Sequence, residues 1–165
     1  MGERPLLLVD VDGVISLFGF DPGSPPPGVW ANVEGIAHLL SATAADHLRR
    51  LSESFELVWC TGWEEKAPEH LPGLLGLDLR MHHLSFDPAL DRTDAHWKLA
   101  AIDAHAGPDR AVAWIDDAHD ERTRAWAADR PGPTLLIETL PRTGLLEEHV
   151  DRLLAWARAP RGGEG

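Results

Sequence analysis

The chain has 165 residues, 44% hydrophobic and 25% charged, the proportions of one folded domain with a sizeable core. Its formal net charge of −12 repels polyanions over the general surface and argues against non-specific nucleic-acid binding. A single cysteine, Cys60, excludes an intrachain disulfide and a cysteine metal cage, and no apolar run approaches the roughly 20 residues of a membrane span. Leu6–Val9 is too short for a secretion signal and runs straight into acid, so the expectation is a soluble, cytoplasmic protein.

Short apolar runs alternate with helical patterns, which predicts an α/β fold built on a parallel sheet with crossover helices. The first strand, near 5–10, ends in two carboxylates, Asp10 and Asp12, followed by Gly13. The stretch 16–41 is irregular: Asp21–Gly28 reads DPGSPPPG, which no interior helix or strand tolerates. Val29–Leu40 then reads as a short hairpin turning at Glu34–Gly35, and its place directly after the carboxylates favours a flap over a surface excursion. A helix over 43–53 follows, with Thr43 as its N-cap, then a strand over 55–60 that ends in Cys60, with Thr61 directly after it. A helix over 64–76 and a strand near 81–85 precede a helix over 94–106, capped by Asp94 and stopped by Gly107–Pro108. A strand over 111–115 runs into Asp116–Asp117; a helix over 119–129, a strand over 134–138 and a docked helix over 145–158 complete the domain, 1–160, leaving 161–165 as a flexible tail.

Four polar signals thus stand at strand or helix ends: Asp10/Asp12, Thr61, Lys98 in HWKLAAI, and Asp116–Asp117. Open α/β sheets place ligand sites beyond the carboxyl ends of their strands, so these groups converge on one edge. Crowded carboxylates repel unless a cation joins them, and an all-oxygen donor set favours Mg²⁺ over zinc or copper. Such a cation can hold a phosphate, with Lys98 and backbone N–H groups near Thr61–Gly62 neutralising the remaining oxygens. An EF-hand is excluded because Ile15 takes the position that needs glycine. A receiver domain has its acids first and its lysine last, whereas here an acidic pair follows Lys98. The nine histidines show no H-x-x-x-H or H-x-H pair, so no zinc site is expected. Cys60, within an apolar run, reads as an inert buried thiol, and Trp59 and Trp114 read as core.

DVDGV, the Thr of CTGW, the Lys of HWKLAA and the acid pair of WIDD, in this order, closely resemble the four motifs of the haloacid dehalogenase (HAD) superfamily, over about 6–120. The resemblance implies a three-layer Rossmann-like fold, a mainly parallel five-stranded sheet with helices on both faces. It also implies a Mg²⁺-dependent phosphomonoester hydrolase. Asp10 would be the nucleophile and form an aspartyl-phosphate. Asp12 would protonate the leaving alcohol and then activate water, its backbone carbonyl also ligating the metal. Thr61 would bind the phosphoryl group, Lys98 would offset charge, and Asp116 and Asp117 would hold the Mg²⁺ directly or through water. Asp120 is a candidate outer-shell acid and His119 a candidate neighbour of the site. Thr61 can also cap a helix. Gly62, Trp63 and Trp30 are candidate substrate contacts.

Residues 13 to 60, 48 in all, separate Asp12 from Thr61, and only 17, residues 99 to 115, separate Lys98 from Asp116. A flap and one helix fill the first gap and leave no room for a large cap domain. ELVWCTGWEEKAP and AWIDDAHDERTRAWA are also similar to a small bacterial HAD group named by analogy with the HAD domain of Swiss-army-knife RNA-repair proteins. That similarity implies polynucleotide-end phosphatase activity as an alternative. The acidic charge ranks a small-molecule phosphate ester ahead of it, and a phosphotransferase using the same intermediate and a non-catalytic binding protein are further alternatives. Substrate identity and oligomeric state are left open by the sequence.

Overall fold

The computed structural model describes residues 3–93 and 95–159; the expected cap at Asp94 and the expected tail 161–165 lie outside the described residues. Five parallel strands form the main sheet in the order β6-β5-β1-β7-β8: β1 (Leu6–Val9), β5 (Glu56–Trp59), β6 (His82–His83), β7 (Val112–Asp116) and β8 (Thr134–Glu138). Chain order builds outward from β1 on one side and then crosses to the other, so the switch in strand order falls at β1. Each strand is a short run bounded by turns, and β1 and β7 are buried along their whole length, as parallel strands covered on both faces must be.

Alternation along the strands divides the core cleanly. Leu7, Val9, Leu57, Trp59, Ala113 and Ile115 face one side, where α1 (Ala44–Ser52), α2 (Lys66–Leu75) and α5 (Glu147–Arg158) pack. Leu6, Leu8, Val58, Cys60, Val112 and Trp114 face the other, with α3 (Leu99–Ala106) and α4 (Glu121–Asp129). A 3₁₀ turn, Ala95–Lys98, leads into α3, so the helix expected over 94–106 is two elements. The layering is that of a HAD-type Rossmann-like fold.

The irregular stretch forms a three-stranded antiparallel sheet, β2-β4-β3, from β2 (Ser16–Leu17), β3 (Gly28–Val33) and β4 (Ile36–Ser41). Its hairpin turns at Glu34–Gly35, as expected, with Gly35 at φ 86° and Asn32 Oδ1 accepting the Gly35 N–H at 2.9 Å. Thr43 does stand at the N-cap position of α1, but its own backbone is helical and its side chain makes no cap bond. The Thr43 hydroxyl instead lies 3.3 Å from the Ser41 hydroxyl. Among the described residues no helix is long and apolar enough to cross a membrane.

Leu8 sits at the centre of this arrangement, level with Val58 and Trp114 on the neighbouring strands and fully buried. Leu8→Ala is expected to lower the unfolding free energy by about 2–5 kcal/mol, read from urea denaturation.

Candidate active site

Register brings the acids together. Val9 pairs with Trp59 and with Ile115, so the next residues, Asp10, Cys60 and Asp116, stand level at the carboxyl edge, and Thr61 lies one residue beyond. Asp10 and Asp116 share the parity of Leu8 and Trp114, so both leave the sheet on the α3 side. The 3₁₀ turn presents Lys98 from that same side. Its Nζ lies 2.6 Å from Asp116 Oδ2 and 3.3 Å from Asp10 Oδ1, and it donates to the Cys60 carbonyl at 3.0 Å. Lys98, Asp10, Asp116 and Thr61 are all buried. Burial opposes the charge on Lys98, but Asp10 and Asp116 outweigh it and hold the ammonium above the usual lysine range.

The same burial works on the acids. It drives the Asp10 carboxyl well above the usual carboxylate range, opposed by Lys98 and reinforced by Asp116. Half-buried Asp117 is pushed up to about 6 by burial and then by Asp116. Asp10, Asp116 and Asp117 each offer an oxygen, all within 4.8 Å of one another. Three carboxylates against one ammonium leave negative charge uncompensated, and oxygen-only donors suit a hard divalent cation such as Mg²⁺. The Asp12 side chain is not part of that cluster.

Asp12 is exposed although it lies two residues from Asp10. The loop turns sharply there: Gly13 adopts φ 83°, donates to the Ser16 carbonyl at 2.7 Å, and a Cβ at this position would overlap the Asp117 carboxylate. The Thr139 hydroxyl donates to the Gly13 carbonyl at 2.7 Å, fastening the loop to the chain after β8. The Asp12 carboxylate then accepts from Trp63 Nε1 at 3.1 Å.

Two hollows meet at Asp12 and Gly62. One, of about 330 Å³, holds Asp10, Thr61, Lys98, Asp116 and Asp117. The other, of about 340 Å³, lies between the flap (Val33, Glu34, Ile36, His38) and the side chains of Trp63 and Lys66. An ion pair of 2.9 Å between Glu34 at the hairpin tip and Lys66 joins flap to α2. A hollow of about 470 Å³ between α2 and the β6 edge contains none of these motif residues.

Several expectations need correction. Trp30 lines neither hollow; its partner across the hairpin is Leu39, on the face opposite Ala31 and His38, and its ring packs edge-on against Phe20. Asp120 belongs neither to the carboxylate cluster nor to either hollow. It caps α4, accepting from the Thr123 N–H at 2.9 Å in a capping box, and its other oxygen lies 2.7 Å from His96 Nδ1. His119 lines neither hollow but is buried near the site: burial lowers its ring pKa and the neighbouring Asp116 carboxylate opposes that, while Nε2 lies 3.3 Å from the Trp114 carbonyl and Nδ1 3.2 Å from the Thr123 hydroxyl. Thr61 does not cap α2, which begins at Lys66 behind Glu65; its hydroxyl accepts the Trp63 N–H at 3.1 Å and stabilises a turn. Cys60 is buried as expected, and burial pushes its thiol up, away from reactivity.

Arg92 was not singled out by the sequence. It lines the first hollow, with its guanidinium carbon 4.6 Å from the Trp97 ring centroid. Nothing local signals it, because it lies between elements and arginine is common in this chain.

A parallel sheet whose central strand ends in two acids, with a buried lysine and a second acid pair on the next strand, defines a HAD-type domain. Residues 6–150 match the family described as the HAD domain in Swiss Army Knife RNA repair proteins, and the chain belongs to it. No curated protein matches the chain.

Millimolar Mg²⁺ is expected to raise the thermal unfolding midpoint of the wild-type protein, by linkage to the folded state, and the rise should vanish in Asp116→Ala. Asp120→Ala should cost about 1 kcal/mol in denaturant unfolding, through the lost cap, while leaving that Mg²⁺-induced rise intact.

Proposed function

We propose that the protein is a Mg²⁺-dependent phosphomonoester hydrolase working through an aspartyl-phosphate. The observation that carries this reading is the cluster of Asp10, Asp116 and Asp117 around Lys98, with Asp12 beside it at the junction of two hollows. Asp10, Asp116 and Asp117, with the Asp12 backbone carbonyl, would hold the Mg²⁺, which offsets charge on the phosphoryl oxygens when bound.

The chain's own residues do the rest. The Val11 N–H and Lys98 both address Asp10 Oδ1, so Oδ2 is the oxygen that attacks phosphorus. As the P–O bond to the alcohol breaks, its electron pair stays on the departing oxygen, which takes a proton from Asp12. Asp12, now a carboxylate, removes a proton from water as that water attacks phosphorus. The bond between Asp10 and phosphorus breaks, restoring Asp10 and releasing phosphate. Thr61 and the N–H groups after it hold the phosphoryl oxygens through both steps.

A small phosphate ester is the favoured substrate, because a surface of net charge −12 repels a nucleic-acid backbone. The second reading, a phosphatase acting on polynucleotide ends, is favoured by the RNA-repair proteins whose HAD domain names the family. A screen over sugar phosphates, nucleotides and oligonucleotides phosphorylated at either end, with and without Mg²⁺, separates the two. Phosphate release is expected to require Mg²⁺ and to fall by about 1,000-fold or more in Asp10→Asn. Undiminished turnover in Asp10→Asn would remove Asp10 as nucleophile. Transfer to an added alcohol in preference to water would make the enzyme a phosphotransferase.

A further inference from the structure

We propose that Trp63 is a positioning residue for the acid/base carboxylate of Asp12, which it holds through the indole N–H at the mouth of the flap hollow. The proposal rests on the phosphomonoesterase reading above. Asp12 is exposed, and an exposed aspartate on a loop has free rotamers. Among the described residues Trp63 is the one side chain that hydrogen-bonds it, Nε1 to Oδ2 at 3.1 Å. An indole N–H only donates and does not titrate near neutrality, so it can bond Asp12 whether or not the acid carries its proton. It therefore serves both halves of the cycle.

Trp63 is itself held from two directions. Its backbone N–H donates to the Thr61 hydroxyl at 3.1 Å, coupling it to the turn beside the phosphoryl hollow. Its ring lies 4.9 Å from the ring of His38 on β4 of the flap. His38 Nδ1 bonds the Ser16 hydroxyl at 2.8 Å, and the Ser16 carbonyl accepts the Gly13 N–H at 2.7 Å, in the same loop that carries Asp12. The contacts close on themselves: Asp12 to Trp63 to His38 to Ser16 and back to the Asp12 loop. A ring that only walled the substrate pocket would not need its N–H aimed at the carboxylate. The flap hollow lies beside both residues, so the leaving alcohol departs across Trp63.

Trp63→Phe keeps the aromatic wall and removes the N–H. Turnover of wild type, Trp63→Phe and Asp12→Ala is measured with Mg²⁺ on p-nitrophenyl phosphate, whose leaving group departs without a proton, and on a primary alkyl phosphate, whose leaving group needs one. In Trp63→Phe the loss of kcat on the alkyl ester is expected to exceed the loss on the aryl ester by about tenfold or more, part of the 100- to 10,000-fold typical of general acid catalysis. Asp12→Ala should show the same bias more steeply. Equal losses on both esters in Trp63→Phe, beside a biased Asp12→Ala, overturn the role of Trp63 alone. Equal losses in Asp12→Ala, or no turnover of either ester by wild type, overturn the parent reading and this role with it. The contact is also checked without turnover: the Trp63 indole N–H resonance, assigned from its absence in Trp63→Phe, should shift in Asp12→Ala. An unmoved resonance overturns the proposal.

Discussion

A lysine ammonium cannot stay charged inside a protein without partners, and three carboxylates cannot stay charged beside one another without a cation. Lys98 and the acids at the ends of β1 and β7 answer each other's requirement. The ammonium lies 2.6 Å from Asp116, 3.3 Å from Asp10 and 3.0 Å from the Cys60 carbonyl, with little water to screen any of them. Everything around the centre keeps that alignment. Strand register sets Asp10 level with Asp116, strand parity sends both towards α3, and the 3₁₀ turn before α3 delivers Lys98 from that side. One ammonium does not balance the cluster, as the raised Asp117 carboxyl reflects, and a divalent cation fits the remainder.

Two acids separated by a single valine occupy opposite environments. Asp10 is buried and bonded to the Val11 N–H at 2.8 Å, while Asp12 is turned outward by the loop at Gly13. The proposed division between nucleophile and acid/base needs this contrast, because the first must stay fixed against phosphorus and the second must exchange protons with alcohol and water. The flap adds a wall on the Asp12 side only. Its hairpin tip reaches Lys66, and His38 meets Trp63, so the compact insertion meets the residue that bonds Asp12 rather than the buried charge cluster.

Much of this was legible in the sequence, and where it was not the reason is physical. All five sheet strands, the five helices and the turn at Glu34–Gly35 follow from apolar runs, helical spacing and glycine, which are properties of neighbouring residues. Thr43 and Asp120 show the limit of such reading. Both stand at N-cap positions, yet only Asp120 caps, because a cap bond depends on a backbone angle that the residue type permits but does not impose. Trp30 sits on the flap as expected but on the wrong face. In a two-residue repeat, one step of register decides whether a side chain meets the pocket or solvent.

By itself the sequence determined which chemical groups the chain owns and which strand or helix end each occupies, since apolar periodicity and the four motifs are written in consecutive residues. The tertiary structure decided which groups meet. Trp63 bonds an aspartate 51 residues away, and Arg92 enters the pocket from a segment with no periodicity of its own. Such contacts arise from register, parity and loop direction acting together. No local stretch encodes their sum, because each depends on where the rest of the chain has packed.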